Sequence, residues 1–482
     1  MNTLLCTDVY KMGHMIQYPE DITEVYSYCE ARKAGHYVVF FGLQYYLEKY
    51  LKKPITQEDA QEFLHYHRQV LGEPLPRVIE QITALANLGY WPVEIKAAPE
   101  GSVIETQNVL FTIRNTKPEF YWCVGFLESL LLKIWNPCTV ASHSLAFKQL
   151  VTKFAKETCD NLDHIGFQVH DFGYRGVSSE ETAMISGASH LLNFHGSDTI
   201  SANYFLDKYY GSKDIVKGLS VPASEHSVMC SYGREGEYKA FDKMMELYPA
   251  GIVSIVSDSY DYWKILTDYV PSRKEKIMQR DGKVVFRPDS GTPELIVTGD
   301  PNATERAPLK GSLELLWEIF GGTVNNKGYR LLNPHVGLIY GDGMHYQRFE
   351  TILQNMKDQG FASSNLVVGV GGLLLQNHNR DELGFAIKAT RIVRKNGEKM
   401  EICKDPATDH KKKSKKGLMA LHKNGAGEFY TKDCLSEEDE KQGELELVFK
   451  DGKVLKTYTL QEITARVSSK SDAKLIAPAP TR

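Results

Sequence analysis

"VGLIYGDGMHYQRFETILQNMKDQGFASSNLVVGVGG" (336–372) is the stretch from which the fold can be read. Two short apolar runs, "VGLIY" and "NLVVGV", bracket a segment in which Phe349, Ile352, Leu353 and Met356 recur at helical spacing. Each run ends in glycines, "GDG" at 341–343 and "GVGG" at 369–372. An unbroken apolar strand suits burial on both faces, and strands alternating with helices build a parallel sheet covered on both sides.

The same pattern recurs upstream without sequence identity. Apolar runs with polar tails stand at "FQVHDFGYRG" (167–176), "SDTISA" (197–202), "LSVPASEHS" (219–227), "GIVSIVSDSYD" (251–261) and "KVVFRPDSG" (283–291), with helix-like stretches such as 179–194 and 237–248 between them. The runs together predict an irregular parallel α/β barrel over 151–390, with every polar strand tail on one rim. Residues 1–150 read instead as an α+β domain joined by 391–465. Its expected strands are "TEVYSYCEAR" (23–32) and "GSVIETQNVLFTIRNT" (101–116), the latter a hairpin around "TQN". "FYWCVGFLESLLLKIW" (120–135) reads as one buried helix with Glu128 and Lys133 among apolar neighbours. Strands return at "TRIVRKNG" (390–397) and "ELVFKDGKVLKTYT" (446–459), the loop "HKKKSKKG" (410–417) lies between them, and 466–482 reads as a disordered tail.

Composition narrows the classes. The 482 residues are 42% hydrophobic and 24% charged, with a net charge of -4. That is ordinary globular composition and gives no bulk reason to bind nucleic acid. No apolar run is long enough to span a bilayer. The eight cysteines are scattered with no CxxC pair, which argues against a zinc site and suits a reducing, cytoplasmic setting.

The expected strand ends carry His170, Asp171, Arg175, Asp198, Glu225, His226, Asp258, Asp261, Arg287, Asp289 and Asp342. Any one of these is explained by the loop that ends a strand. Gathered on one rim, they offer cations for anions, carboxylates for a metal or hydroxyls, and imidazoles. The two glycine-rich ends on neighbouring late strands suit a phosphate cradle. No GxxxxGK[ST] is present, which disfavours a Walker-type nucleotide site. No lysine ends an expected barrel strand, which disfavours a Schiff-base aldolase. These features reach a barrel enzyme with a phosphorylated substrate, Mg²⁺ and an aromatic ring at its site, but not the reaction.

"TDVYKMGHMIQYP", "HDFGYRGVSS", "GSDT", "SVPASEHS", "VSDSYD", "RPDSG", "GDG" and "KDPATDHKKKSKKG" occur in the order seen in the nicotinamide phosphoribosyltransferases, and over about 4–460 the chain resembles that family. The resemblance implies a homodimer of the type II phosphoribosyltransferase fold. It also implies the condensation of nicotinamide with phosphoribosyl pyrophosphate in NAD salvage, with Mg²⁺ as cofactor and ATP as co-substrate. Phe172 and Tyr10 of the partner subunit then match the rings that sandwich the pyridine, a contact contributing about 1 kcal/mol beyond area burial. Asp198 matches the residue that accepts a hydrogen bond from the carboxamide and repels nicotinate. Arg175 and Arg287 match arginines near the ring and the product's phosphate, and Ser254 and Asp289 match the base and ribose region.

The resemblance further gives Asp289 and Asp258 the ribose hydroxyls and hydrated Mg²⁺, and Gly341, Asp342, Gly371 and Gly372 the 5′-phosphate and ribose loops. Arg32, Arg380, Lys388, Lys404 and Lys412 match pyrophosphate-binding cations. His226 matches the histidine phosphorylated by ATP, with Glu225 placed to orient it. Gly337, Val370, Leu373 and Ala386 depart from the family pattern. Two other readings are nicotinate phosphoribosyltransferase, which Asp198 opposes, and a non-catalytic signalling homologue, which the retained His226, Asp289 and Arg287 oppose.

Overall fold

Five parallel strands make the regular part of the barrel: β1 (Val169–Asp171), β2 (Ala250–Val256), β3 (Asp281–Arg287), β4 (Val336–Tyr340) and β5 (Leu366–Val370). They lie in the order β1-β5-β4-β3-β2 in a computed structural model that describes residues 1–404 and 414–469. All four neighbouring pairs are parallel. The helix Tyr346–Asp358 joins β4 to β5 and buries Phe349, Ile352, Leu353 and Met356 completely, as its spacing predicts.

The remaining side of the barrel has no long strands. Parallel bridges pair Ser254 of β2 with Ala223, Leu219 with Gly196, and Ser197 with Asp171 of β1, and so carry the circuit back to its start. The expected strand at 197–202 is therefore corrected: its first residue bridges, and from Ile200 the chain is helical (Ile200–Tyr210). At 167–176 only three residues are extended, flanked by 3₁₀ turns at Asp163–Phe167 and Tyr174–Gly176. The Ser197 hydroxyl donates to the buried Asp171 carboxylate and accepts from the Thr199 N–H, local bonds that compete with a longer ladder.

The barrel belongs to one of two compact units, made of 143–205 and 214–378. Among the described residues the other unit comprises 1–142, 206–213 and 379–469. It is organised on a seven-stranded antiparallel sheet in which Ile22–Ala31 runs between Phe385–Arg394 and Val109–Asn115. Val93–Ala97 and Glu446–Lys450 extend it on the far side. N-terminal and C-terminal segments thus share one sheet. The expected hairpin around "TQN" is not formed: Val103–Glu105 pairs with Tyr37–Val39, while Val109–Asn115 pairs in the large sheet. Residues 120–135 form short helices, Cys123–Phe126 and Glu128–Leu131, before the long helix Trp135–Thr158. Glu128 there is paired with Lys11, and Lys133 is exposed. The expected disordered tail begins too early, since the helix Leu460–Ser468 includes its first residues; 470–482 lie outside the described residues.

One buried group in the barrel unit carries an acid liability. His190 is fully buried, with Nδ1 facing the Ser144 hydroxyl at 3.1 Å and Nε2 facing the Val169 carbonyl at 3.2 Å. Those partners suit the neutral ring, and burial pushes its pKa down to about 4, against a partial upward pull from Asp171. The unfolded chain binds this proton near the ordinary value of 6.5, so stability present above that pH is lost as pH falls towards 4. Urea unfolding of the wild type at pH 7.5 and pH 5 is expected to show this loss, and His190→Gln to reduce the difference between the two pH values.

Candidate active site

A cavity of about 350 Å³ occupies the barrel interior. Alternate residues of neighbouring strands line it: Ile252 and Ser254 of β2, Lys283, Val285 and Arg287 of β3, Gly337 and Ile339 of β4, and Val367 of β5. A period of two puts such residues on one face, and in a barrel that face is the inside. Phe172, His170 and Asp198 line the end near the C-terminal ends of the strands.

The Phe172 ring is held from several sides. Its backbone N–H donates to the Val370 carbonyl at 2.7 Å, fixing the chain as it leaves β1. The His170 ring lies 4.7 Å away at 37°, and the Arg287 guanidinium lies 4.9 Å from the Phe172 centroid. On the β5 side the ring rests where a side chain would be: a Cβ on Gly369 would stand 2.2 Å from Phe172 Cδ2. Gly176 and Gly372 similarly let two backbones meet, a Cβ on Gly372 falling 2.8 Å from the Gly176 carbonyl oxygen.

Asp198 is placed by its backbone, whose N–H donates to the Asp171 carbonyl at 2.8 Å. Its Oδ1 takes hydrogen bonds from His170 Nε2 at 2.8 Å and from the Ser220 hydroxyl. Oδ2 receives no hydrogen bond from any described residue. Burial raises the carboxyl's pKa, but the bonds from His170 and Ser220, with the charges of His170 and Arg287, outweigh it and hold the group below the ordinary carboxylate value.

A second cluster follows β2 and β3. His226 opens the helix His226–Cys230, and its Nε2 lies 3.1 Å from Asp258 Oδ1. Asp258 Oδ2 accepts from the Asp289 N–H at 2.9 Å and the Ser290 hydroxyl at 2.6 Å. Asp258, not Glu225, therefore orients His226; the Glu225 carboxylate accepts from Ser227. Arg287 donates to Asp289 at 3.0 Å. Gly341 makes room for that carboxylate, since a Cβ there would lie 2.5 Å from Asp289 Oδ1. Burial, then Asp342, Asp258 and Asp289, raise the pKa of the Tyr340 hydroxyl, so three carboxylates converge on this corner.

The other sequence candidates fall as follows. Ser254 is buried and lines the cavity. Arg175 is exposed on the turn Tyr174–Gly176 and is not among the cavity residues; the guanidinium against Phe172 is that of Arg287. Gly371 and Gly372 start the short helix after β5, and Asp342 is exposed after β4. Tyr10, Arg32, Arg380, Lys388 and Lys404 belong to the other unit, and Lys412 lies outside the described residues. Within that unit Tyr10, 62% exposed, and Arg380 line one cavity of about 380 Å³. Burial lowers the pKa of Lys388, Glu128 partly opposes this, and Arg32, Lys404 and Arg380 lower it further, so three of the other expected cations act on Lys388. Sequence reasoning missed the contribution of Ser220 and Gly369. "SVPASEHS" and "GVGG" contain them, but nothing in the string says which way a serine or a missing side chain faces.

The model of the "Nicotinate phosphoribosyltransferase (NAPRTase) family" matches residues 167–453, more than half of the chain. The chain belongs to this family. The "Nicotinamide phosphoribosyltransferase, N-terminal domain" model matches residues 2–81. Among individual relatives, the nicotinamide phosphoribosyltransferase of Acinetobacter baylyi is 41% identical, with 98% of each chain covered. That of Xanthomonas campestris pv. campestris is 38% identical over 97% of this chain and 98% of its own. The nicotinate-nucleotide pyrophosphorylase of Pyrococcus furiosus aligns at a TM-score of 0.57 and 14% identity, over 98% of this chain and 96% of the other. Human nicotinic acid phosphoribosyltransferase aligns at 0.52 and 13%, with 98% and 96% covered. At those identities the structural likeness establishes the type II phosphoribosyltransferase fold.

The glycine under the ring gives a direct check. Gly369→Ala is expected to push Phe172 from its place and to lower stability by about 1–3 kcal/mol, as overpacking does. Denaturant midpoints measure the loss, and Gly425→Ala, where a Cβ meets nothing within 4 Å, serves as the neutral comparison.

Proposed function

We propose that the chain is a nicotinamide phosphoribosyltransferase, forming nicotinamide mononucleotide and pyrophosphate for NAD salvage. The carrying observation is Asp198: a carboxylate kept ionised, with one oxygen unengaged, beside the Phe172 ring. A carboxamide N–H donates to such an oxygen. The carboxylate of nicotinate is repelled by it, and a site built around one hydrogen bond can discriminate by roughly 10⁴. The closely related nicotinate reaction is thereby disfavoured.

In the reaction the pyridine nitrogen of nicotinamide bonds to C1 of the ribose as the C1–O bond to pyrophosphate breaks, and the leaving group takes the electron pair. Positive charge spreads over the ribose and ends on the pyridinium. Phe172 holds the ring flat, and Asp289 supports the ribose hydroxyls. Arg287 is already paired with Asp289, so it presents its remaining N–H groups to a phosphate without losing its orientation. Burial first, and then repulsion from Arg32, Lys404 and Arg380, lowers the Lys388 pKa; a polyanion relieves that repulsion, which supports pyrophosphate as the ligand of Arg32, Arg380, Lys388 and Lys404. A dimer that brings Tyr10 of the partner subunit to the ring accounts for an aromatic side chain left so exposed.

The carboxylates fit Mg²⁺ in one restricted way. Both oxygens of Asp258 are taken by His226, the Asp289 N–H and Ser290, and no described group of three or more acidic, histidine or cysteine side chains forms a metal cage. Asp289, whose Oδ1 has only a long 3.5 Å contact to Arg287 Nε, would with the nearby Asp342 hold a hydrated ion whose other ligands are substrate oxygens and water. Such an ion neutralises pyrophosphate charge. For ATP use, the Asp258 contact occupies His226 Nε2 and leaves Nδ1 as the nitrogen available for phosphorylation. All eight cysteines are free thiols, which supports a reducing, cytoplasmic setting. No helix among the described residues is long and apolar enough to cross a membrane.

The decisive assay is mononucleotide formation from nicotinamide or nicotinate with phosphoribosyl pyrophosphate and Mg²⁺, with and without ATP; no product from either base overturns the reading. Asp198→Asn is expected to cut the nicotinamide-to-nicotinate ratio of kcat/KM by about 10² or more. An unchanged ratio removes Asp198 from base selection. Because its pKa is lowered, the preference is expected to persist from neutral pH down through the ordinary carboxylate range. His226→Ala is expected to abolish stimulation by ATP while leaving ATP-independent synthesis measurable, in kinetics run at saturating base.

A further inference from the structure

The inner part of the barrel cavity contains a cation that the proposed chemistry leaves unused. Lys283 lies on the inward face of β3, two inward-facing positions before Arg287. It is half-buried, and no described residue gives it a hydrogen bond or an ion pair. Burial pushes its pKa down, with no opposing carboxylate to restore it. An ammonium withdrawn from water without a partner is costly, and an anion that reaches it offsets the cost.

Its position is built rather than incidental. β4 contributes Gly337 beside it, and a Cβ on Gly337 would stand 3.1 Å from Lys283 Cδ and 3.3 Å from Val285 Cγ2. The bare glycine lets the lysine stem lie along β4. Between Lys283 and Arg287 the lining is aliphatic, from Val285, Ile339 and Val367. Four residues of strand separate the two cations by about 13 Å, longer than one pyridine ring.

We infer that this inner part of the cavity binds an elongated monocarboxylate, with its apolar body along Val285, Ile339 and Val367 and its carboxylate on Lys283. One ammonium within aliphatic walls matches a single negative charge on an apolar chain; a phosphate dianion would lack a second cation there. An occupant of this length reaches the Phe172 end and excludes the base. That competition rests on the function proposed above, whereas the carboxylate site itself does not.

Octanoate is a probe of suitable length and charge, with octan-1-ol and octylammonium as neutral and cationic comparisons. Isothermal calorimetry on the full chain is expected to give octanoate an affinity about tenfold or more above either comparison, the scale of one hydrogen bond to a charged group. Lys283→Gln is expected to remove that advantage without changing octan-1-ol binding, Lys283→Arg to restore it, and Gly337→Ala to weaken it by displacing the lysine. Nicotinamide at saturation is expected to displace octanoate. Octanoate binding no tighter than octan-1-ol, or unchanged in Lys283→Gln, overturns the inference. Failure of nicotinamide to bind while octanoate still depends on Lys283 overturns the proposed function and leaves the carboxylate site standing.

Discussion

At the end of β1 the Asp171 carboxylate, with 0% exposure, accepts from the Gly173 N–H at 2.7 Å and the Ser197 hydroxyl at 2.9 Å. Its backbone N–H donates to Gly196 at 3.1 Å, and its carbonyl accepts from Asp198. Asp171 thus makes the last link of the barrel on the side that lacks regular strands. It also sets the distance between the two groups that face a ligand: Phe172 follows it directly, and Asp198 hangs from its carbonyl. A buried carboxylate with both oxygens satisfied is tolerable, whereas removing either donor leaves charge stranded in the interior. Ring and acceptor are therefore positioned by the same interaction that completes the fold.

A parallel barrel makes this arrangement productive. Its strands all end on one rim, so residues far apart in sequence meet without any loop having to fold over them. Asp198, Arg287 and Phe172 come from separate parts of the chain, yet each stands at or just beyond the end of a strand or bridge. The glycines complete the geometry by absence. Gly369 gives its space to Phe172 and Gly341 gives its space to Asp289, so the strand ends approach more closely than side chains would allow.

The barrel was legible because its strands are buried on both faces, and burial leaves an unbroken apolar run that can be read without knowing the partner. The irregular side was not legible for the same reason in reverse. At 196–199 the chain needs only two bridging residues, and a stretch that short has no period to detect. The hairpin around "TQN" failed because turn residues mark where the chain bends, not which strand it next meets. In the site, residue types were readable and pairings were not. Glu225 is next to His226 in sequence, but its side chain turns to Ser227, while Asp258 arrives from β2. Arg175 is three residues from Phe172, yet the cation on the ring is Arg287 from β3. Sequence neighbours at a strand end diverge as the backbone turns, and spatial neighbours are supplied by adjacent strands.

Two cations on one strand show how far environment decides function. Arg287 and Lys283 both point into the barrel from β3, with one inward residue between them. Arg287 is bound to Asp289 and stacked against Phe172, so its charge is spent largely on holding a geometry that a phosphate can then use. Lys283 has aliphatic neighbours and a glycine opposite, so its charge stays uncompensated within the protein. A fixed, paired cation favours a ligand whose charge is delivered in one orientation, while an unpaired, flexible one favours any monoanion that can reach it through apolar walls. The same inward register therefore produces a positioning device near the rim and a charge-selective contact deeper in the barrel, and the difference lies in what β4 and the loop after β3 place beside each.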